Sequence, residues 1–257
     1  MRDEIVSRFP DSYSTYAEVF CGAAWVFFRK SRSKAEVLND MNNNLANLYW
    51  QVQENPNSLC DRLQYAIDCE ANFYRMCDAL KQKQEMDDLT RAAWFYQILR
   101  FSYGSKASSY SWKGRDLWRD FPTILSAHHR LRGVGVHNKD FEHFIKLMDA
   151  PDTFFYCDPP YYGTEDYYDG VVFEDGDHER LRDLLLSIDG KFLLSYNDCR
   201  KFVSCTRDMV CSLRKSPGWI ASSSGMTAAT NIQNYSYRIM IRKPVASLHN
   251  RCLFDWS

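Results

Sequence analysis

The chain has 257 residues, of which 45% are hydrophobic and 25% are charged, and its formal net charge at pH 7 is −1. This length is enough to bury the core of one α/β domain with an inserted subdomain. No apolar run is long enough to span a membrane and the N-terminus lacks a signal-peptide core, so we expect no membrane association. The nine cysteines contain no Cys-x-x-Cys pair, which favours reduced thiols in the cytoplasm over disulfides or a zinc site.

The first part of the chain has the pattern of an α/β fold that binds a nucleotide. Residues 16–20 predict a strand, which is followed by the small residues Cys21-Gly22-Ala23-Ala24 and an apolar helix. A turn of small residues between a strand and a helix lets the backbone approach a ligand closely. A second predicted strand, residues 35–40, ends in Asp40. An acid at this distance binds a ribose diol in folds of this kind, and the alternative is that Asp40 caps the helix predicted over residues 42–54.

The next segment, residues 57–130, interrupts this alternation with helical patterns over residues 59–80 and 89–99. After them, residues 101–115 alternate basic and aromatic side chains with Gly and Ser, which suits a hairpin or mobile loop lying on nucleic acid. Residues 90–139 carry nine basic and two acidic residues, so we expect a polyanionic partner. The alternatives are an ordinary solvated surface and an exposed loop whose rings fold back onto the domain.

The α/β pattern returns after this segment. Residues 133–137 predict a strand, and Asp140-Phe141 opens the helix that follows. The later predicted elements are a helix capped by Asp177, a strand over residues 191–196 that ends at Asn197-Asp198, a loop over residues 222–230 and a closing strand over residues 235–242. Because the carboxyl ends of parallel strands meet at one edge of a sheet, we expect the polar residues after these strands to form one crevice.

The segment Asp158-Pro159-Pro160-Tyr161 follows the apolar run of residues 153–156, which predicts a buried strand that ends in a rigid loop. The Asp158 carboxylate and the Pro159 carbonyl would present two acceptors beside the Tyr161 ring. Two acceptors and a ring suit a planar amine, whose delocalised lone pair becomes available when both of its hydrogens are accepted. The alternative is a proline turn in which Asp158 is a local cap.

In their order and spacing, these segments resemble the D12 class of DNA adenine-N6 methyltransferases, the Dam type, from the first residues to about Pro244. The segments that carry the resemblance are Glu18-Val-Phe-Cys-Gly-Ala, Asp40 in Leu-Asn-Asp-Met-Asn, the stretch Arg91–Gly104, Asp140-Phe141, Asp158-Pro-Pro-Tyr and Leu194-Ser-Tyr-Asn-Asp. Together they form a highly specific set.

The resemblance implies a Rossmann-like methyltransferase sheet with an inserted, mainly helical target-recognition subdomain. Residues 1–56 and 131–257 would form the catalytic domain, and residues 57–130 would bind DNA. The implied activity is site-specific transfer of a methyl group from S-adenosylmethionine to the N6 atom of a flipped-out adenine in double-stranded DNA. We expect a bacterial or phage-encoded enzyme of the cytoplasm that uses no metal.

The resemblance also assigns residues to three sites. The implied catalytic residues are Asp158, Pro159, Pro160 and Tyr161. The implied cofactor-binding residues are Glu18, Phe20, Cys21, Gly22, Ala23, Asp40, Met41, Asp140, Phe141 and Asp158. Among these, Asp40 would take the ribose hydroxyls, while Asp140 and Phe141 would contact the cofactor adenine by a hydrogen bond and by stacking. The implied DNA-binding residues are Arg100, Tyr103, Lys106, Lys113 and Arg115.

The chain departs from the family pattern in three places. Ala24 stands where the family usually has a glycine, and Met1 falls after the position of the Gly-Gly-Lys segment that usually precedes the first helix. Residues 107–109 are Ala-Ser-Ser where members that read GATC have an arginine, so we do not assign GATC as the target. Two alternative functions are a catalytically impaired DNA-binding relative without the Gly-Gly-Lys segment and an RNA adenine methyltransferase.

Overall fold

A single sheet lies at the centre of the computed structural model, which describes residues 2–103, 109–112, 114–160, 173–197, 219–221, 227–230 and 238–243. Its strands in chain order are β1 (Thr15–Glu18), β2 (Ala35–Asn39), β3 (Gly135–His137), β4 (Thr153–Cys157), β5 (Lys191–Asn197), β6 (Trp219–Ala221), β7 (Thr227–Thr230) and β8 (Arg238–Lys243). Their order in space is β3-β2-β1-β4-β5-β8-β7-β6. Strands β1 to β5 and β8 are parallel, whereas β7 is antiparallel to both of its neighbours. The predicted α/β class with a Rossmann-like sheet is therefore confirmed.

The strand order reverses between β1 and β4. From β1 the chain moves outward through β2 to β3, and it then returns to place β4 on the other side of β1. At such a reversal the loops after the two central strands diverge and leave a crevice at their carboxyl ends. The fold thus provides its main crevice beyond Glu18 and Cys157.

The central strand β4 is buried along its whole length. Successive side chains of a strand point to opposite faces, and the two faces of β4 belong to different cores. Phe154 and Tyr156 pack in one core with the inserted helices. Phe155 and Cys157 pack in the other with the helices α8 (Phe141–Met148) and α9 (Asp175–Ser187). Burial on both faces explains why this strand reads as a continuous apolar run.

Helices cover the first of these faces. On this face, the predicted catalytic domain contributes the helices α1 (Arg2–Val6), α2 (Trp25–Arg29) and α3 (Asn43–Glu54). The inserted helices are α4 (Pro56–Leu63), α5 (Glu70–Lys81), α6 (Asp88–Phe101), a 3-10 helix (Leu117–Asp120) and α7 (Phe121–Leu131). Buried residues of the insert, such as Leu59 and Phe73, share one hydrophobic core with Tyr16 and Phe154 of the sheet. The division of the chain into two domains stays a prediction.

Side chains from β2 and the loop before it attach α7 to the sheet. The exposed Arg32 guanidinium donates hydrogen bonds to the carbonyl oxygens of Arg130 and Arg132, both at 2.7 Å. The Arg130 side chain pairs in turn with Glu36 of β2, with an Nη2–Oε1 distance of 2.9 Å, and its guanidinium lies 3.7 Å from the centre of the Phe27 ring. These contacts supply partners for the carbonyls that a helix leaves unpaired at its C-terminus.

Several boundaries differ from the sequence prediction, and the N-cap of α9 is Glu174 and not the predicted Asp177, whose side chain accepts a hydrogen bond from the Glu174 N–H. Strand β1 ends at Glu18 and not at residue 20, because after Val19 donates to the Tyr156 carbonyl at 3.0 Å the chain bends toward β2. Residues 227–230 were predicted as part of a loop and instead form β7. Pairing with β8 determines this strand, since the strand preference of a residue depends strongly on its neighbours in the sheet. Among the described residues, no helix has both the length and the apolar character needed to cross a membrane.

Candidate active site

Two acidic side chains lie side by side at the reversal point of the sheet. Glu18 ends β1, and Asp158 follows β4 directly. Glu18 is in register with Tyr156, so Glu18 and Asp158 project from the same face of the sheet. Their proximity is visible in the electrostatics, because the charge of Asp158 raises the pKa of Glu18.

Each of these carboxyls receives a hydrogen bond from a buried hydroxyl. The Tyr16 hydroxyl donates to Glu18 Oε2 at 2.6 Å, and the Phe27 backbone N–H donates to the same oxygen at 3.1 Å. The Ser195 hydroxyl, which belongs to β5, donates to Asp158 Oδ1 at 2.8 Å. Both acids are therefore held in fixed orientations by neighbouring groups of the sheet and of α2.

Burial dominates the ionisation of Glu18, which is 2% exposed. Burial raises the pKa of Glu18 to about 8, and the charge of Asp158 acts in the same direction. The hydrogen bonds from Tyr16 and Phe27 and the charge of Lys30 oppose this rise. A carboxyl that is protonated near pH 7 would ionise when a cation is placed beside it. The end of β1 is thus suited to a ligand that carries positive charge.

The loop Cys21–Ala24 after β1 has two residues with left-handed backbone conformation. Gly22 has φ 45°, and Ala24 has φ 50° and ψ 36°. Ala24 stands where the related family usually has a glycine, so the backbone keeps the shape that a glycine would favour despite the side chain. Among the residues that the structure describes, a Cβ atom added to Gly22 would meet no atom within 4 Å, so these residues leave open space in front of this loop. This space, next to Glu18, fits the close approach of a small-molecule ligand.

Asp40 faces the same loop from the end of β2. Its Oδ2 accepts a hydrogen bond from the Gly22 N–H and its Oδ1 accepts one from the Asn42 N–H, both at 2.9 Å. The N-cap of α3 is Asn42 and not Asp40, because the Asn42 side chain accepts hydrogen bonds from the N–H groups of Asn44 and Leu45. Burial raises the pKa of Asp40, against the effect of the two backbone N–H groups. The capping alternative is therefore wrong for α3, and the ribose role stays a prediction.

Asp140 and Phe141 lie at the start of α8, on the other side of Asp40. Asp140 caps this helix by accepting a hydrogen bond from the Glu142 N–H at 2.9 Å, and its other oxygen pairs with Arg180 of α9 at 2.8 Å. The Phe141 ring is 4% exposed. The Arg180 guanidinium lies 4.3 Å from the centre of this ring, and the Phe20 ring lies 5.7 Å away. A cofactor adenine could stack on Phe141 only if one of these groups moved, and this role stays a prediction.

A buried amide that the sequence analysis did not single out connects these loops. The Asn39 side chain, 1% exposed, donates to the carbonyls of Val19 and Lys139, both at 3.0 Å, and accepts a hydrogen bond from the Lys139 N–H. The Tyr49 hydroxyl similarly donates to the Gly22 carbonyl at 2.7 Å. An amide directly after the apolar residues Val37 and Leu38 at the end of β2 was the available signal for Asn39, since a buried polar group requires partners.

The predicted cofactor and catalytic residues are thus brought to one edge of the sheet, as far as the described residues extend. Phe20, Cys21 and Ala23 follow β1, and Met41 follows Asp40 at the surface with 54% exposure. Pro159 is buried and Pro160 is partly buried beyond Asp158. Tyr161 lies outside the described residues. Among the described residues, His, Cys, Asp and Glu do not gather in groups of three or more that could hold a metal ion.

The predicted DNA-binding residues have different environments. Arg100 is paired with Asp120 at 2.7 Å, and both side chains are nearly buried, so the Arg100 charge is already matched within the protein. Tyr103 is 64% exposed at the base of a hairpin, where its N–H donates to the Ser109 carbonyl at 2.9 Å. Arg115 is partly exposed. Lys106 and Lys113 lie outside the described residues.

The base of this hairpin is fixed to the inserted helices. The Ser111 N–H donates to the Phe101 carbonyl at 2.8 Å, and Ser102 and Tyr110 form an antiparallel bridge. The Tyr110 hydroxyl donates to Asp68 at 2.8 Å, between α4 and α5. A hairpin was one of the two forms predicted for residues 101–115. The antiparallel bridge between Ser102 and Tyr110 confirms the base of this hairpin within the described residues.

The sequence matches one protein family and a relative of known type. Residues 1–215 match the family model of the D12 class N6 adenine-specific DNA methyltransferases. The chain is also 28% identical over 204 residues to the Type II methyltransferase M1.LlaDCHI of Lactococcus lactis subsp. cremoris. That match covers 71% of this chain and 70% of the relative.

Proposed function

The chain belongs to the D12 class of N6 adenine-specific DNA methyltransferases, and on this premise we propose that it transfers a methyl group from S-adenosylmethionine to an adenine flipped out of duplex DNA. The observation that carries the proposal is the pair of oriented carboxyls at the reversal point of the sheet, Glu18 and Asp158. Glu18 would pair with the cationic donor, and Asp158 would bind the amine that accepts the methyl group.

Asp158 would hold the acceptor amine. The exocyclic nitrogen of adenine is a weak nucleophile because its lone pair is delocalised into the ring. When the Asp158 carboxylate and the Pro159 carbonyl accept its two hydrogens, the lone pair is localised and directed out of the ring plane. The stiff Pro159-Pro160 corner fixes the two acceptors relative to each other, and Tyr161 would stack on the base. The proton that the nitrogen must lose would pass to Asp158 or to water.

Glu18, Gly22 and Asp40 would hold the donor. S-adenosylmethionine supplies a methyl carbon on a positively charged sulfur, so the C–S bond breaks with its electron pair going to sulfur as the N–C bond forms. Glu18 would pair with a positive group of the donor, and Asp40 would accept hydrogen bonds from the ribose hydroxyls. The open space in front of Gly22 supports this assignment. Positioning and charge would supply most of the rate, since the methyl group comes already activated.

The DNA would lie on the inserted subdomain, with the hairpin near the duplex. Adenine N6 cannot be reached inside a base pair, so the target base must leave the stack. The exposed Tyr103 ring, or a neighbouring side chain of the hairpin, would fill the gap that the base leaves.

Substitution of Asp158 tests the proposal. We expect Asp158→Ala to abolish methyl transfer to unmethylated DNA from labelled S-adenosylmethionine, while calorimetry shows donor binding retained. The matched control is Asp152→Ala, an exposed acid before β4 at its opposite end, which should transfer at the wild-type rate. Digestion of the labelled DNA to nucleosides should give N6-methyladenine. Transfer by Asp158→Ala at the wild-type rate would overturn the role of Asp158, and label in RNA alone would overturn the substrate.

A further inference from the structure

Ser195 lies beside Asp158 because of the strand register. Cys157 of β4 is paired with Leu194 of β5, so the next residue of each strand occupies the same level of the sheet. Asp158 and Ser195 also project to the same face, the one that carries Tyr156 and Glu18. The register of β4 and β5 therefore brings them together, with Asp158 as the first residue after the end of β4.

The hydrogen-bond directions at this contact are fixed by chemistry. A hydroxyl has one hydrogen to donate, and that of Ser195 goes to Asp158 Oδ1 at 2.8 Å. The Tyr156 hydroxyl faces the Ser195 oxygen at 3.5 Å, a distance at which a hydrogen bond is weak. Ser195 is 0% exposed and Tyr156 is 2% exposed, so both hydroxyls are buried, whereas Asp158 is partly exposed.

Strand β1 contains a simpler form of the same arrangement. In both strands a tyrosine stands two residues before the acid, Tyr16 before Glu18 and Tyr156 before Asp158. Glutamate is longer by one methylene, and Glu18 reaches its own tyrosine directly at 2.6 Å. The shorter Asp158 side chain is met instead by the Ser195 hydroxyl from the adjacent strand. Ser195 thus takes the place of a direct tyrosine contact.

We propose that Ser195 is a positioning residue for methyl transfer, which holds one oxygen of the Asp158 carboxylate so that the other is aimed at the adenine amine. This inference rests on the proposed role of Asp158. The last torsion of an aspartate side chain has a broad energy profile, so the hydrogen bond from Ser195 narrows the range of orientations that the Asp158 carboxylate samples. Transfer requires the amine lone pair to be directed at the methyl carbon, and small errors of orientation reduce the rate strongly.

The test compares Ser195→Ala and Ser195→Thr with wild type, using the full chain, S-adenosylmethionine and a duplex of unmethylated DNA. With donor and DNA both saturating, we expect the single-turnover rate of Ser195→Ala to fall about 10- to 100-fold, as for loss of a hydrogen bond to a charged group. The donor dissociation constant from calorimetry and the apparent KM for DNA should stay within about twofold, because Ser195 is not expected to contact either molecule. Ser195→Thr, which keeps the hydroxyl, should recover most of the rate.

Two further variants separate orientation from packing. Ser187→Ala removes an exposed hydroxyl from the end of α9 and should leave the rate unchanged. Tyr156→Phe removes only the weak contact to Ser195 and should lower the rate much less than Ser195→Ala. If Ser195→Ala does not fold, as judged by thermal unfolding, Ser195→Cys fills the site with a slightly larger side chain that is a weaker donor, and it should show a similar loss of rate.

The outcomes distinguish this inference from the proposed function. If the wild-type chain transfers no methyl group to DNA, the proposed function fails and the inference fails with it. If wild type is active and Ser195→Ala has the same single-turnover rate, only the inference is overturned. It is also overturned if Ser195→Thr is as slow as Ser195→Ala, or if donor binding falls in parallel with the rate, since both results indicate a role in packing alone.

Discussion

Glu18 combines deep burial with a position where a cation would bind. In the folded chain burial raises its pKa from an ordinary 4.5 to about 8, so in this interval the folded state holds a proton that the unfolded state has lost. Stability associated with this group is complete below about pH 4.5 and is lost as the pH rises toward 8. The Glu18 carboxyl is therefore expected to lower the stability of the ligand-free protein at neutral and alkaline pH.

Glu18→Gln tests this pH dependence. Glutamine keeps an oxygen that can accept from Tyr16 and Phe27, and it cannot ionise. We expect the Tm of the variant, relative to wild type, to increase steadily between pH 5 and pH 8.5 when both proteins are unfolded without donor. A Tm difference that is the same at all pH values would show that Glu18 does not titrate in this range.

Gly22 and Gly133 both have a left-handed backbone conformation, and Gly133, with φ 73°, lies in the turn after α7. At either position, an added Cβ atom would meet no atom of the described residues within 4 Å. An alanine at either position should cost about 1–2 kcal/mol of backbone strain, without a steric clash. We expect Gly22→Ala and Gly133→Ala to lower the Tm by similar amounts. Only Gly22→Ala should weaken donor binding in calorimetry, because its Cβ occupies the proposed donor space. Equal donor affinities in the two variants would contradict this location.

Helix α7 is joined to the sheet by a buried group of charges. Glu36 of β2 accepts from Lys30 and from Arg130 of α7, and the Lys30 and Glu36 side chains are only 1% and 2% exposed. Burial alone would raise the pKa of Glu36, but the hydrogen bonds from Arg130 and Lys30 reverse the effect and lower it. Burial also lowers the pKa of Lys30. One carboxylate thus compensates two cations at the junction of the insert and the sheet.

Glu36→Gln removes this compensation. The variant should lose about 3–5 kcal/mol of unfolding free energy, since it removes the carboxylate that balances the buried charge of Lys30 and Arg130. The matched control is Glu142→Gln, which breaks a surface pair with Lys146 and should cost less than about 1 kcal/mol. Urea unfolding at pH 7 measures both values. A Glu36→Gln variant as stable as the control would show that the two cations find other partners or shed their charge.

The order of the elements was predictable because it depends on local patterns. Apolar runs followed by small or acidic residues identified β1, β2 and β4, and the same pattern located Gly22, Asp40 and Asp158 at one edge. Pairing between distant residues was not predictable from such patterns. Arg100 pairs with Asp120. The Arg180 guanidinium, which lies over the Phe141 ring, belongs to a residue 40 positions after Asp140 in the sequence. A basic or aromatic residue looks the same in the sequence whether it binds a ligand or another part of the chain.

At the scale of the whole molecule, internal pairs reduce the positive charge that the sequence suggested for DNA. Of the basic residues in the region 90–139, Arg91, Arg100 and Arg130 pair with Asp88, Asp120 and Glu36. The hairpin base with Tyr103 remains the best-exposed predicted contact in the part of the chain described. Attraction to DNA is therefore expected to depend on stacking as well as on charge.

Tyr103→Ala should weaken binding to unmethylated duplex DNA about 5- to 100-fold, as expected for the loss of one stacked base contact. Tyr74→Ala, which removes another exposed ring of the insert on α5, is the control and should bind normally. Fluorescence anisotropy of both variants at one fixed salt concentration measures the difference. If both variants bind like wild type, the hairpin does not touch the duplex.

The continuous core between the inserted helices and the sheet has a consequence for engineering. Leu59 and Phe73 of the insert belong to the same hydrophobic core as Tyr16 and Phe154 of the sheet, so the insert is not a detachable module. In a chimera that exchanges residues 57–130 with those of a relative, the apolar surfaces of the new insert and of the sheet would have to match where they share this core. Grafting only the hairpin, whose base is fixed by Tyr110 and Asp68, would leave this shared core unchanged and would test whether the hairpin contributes to target preference.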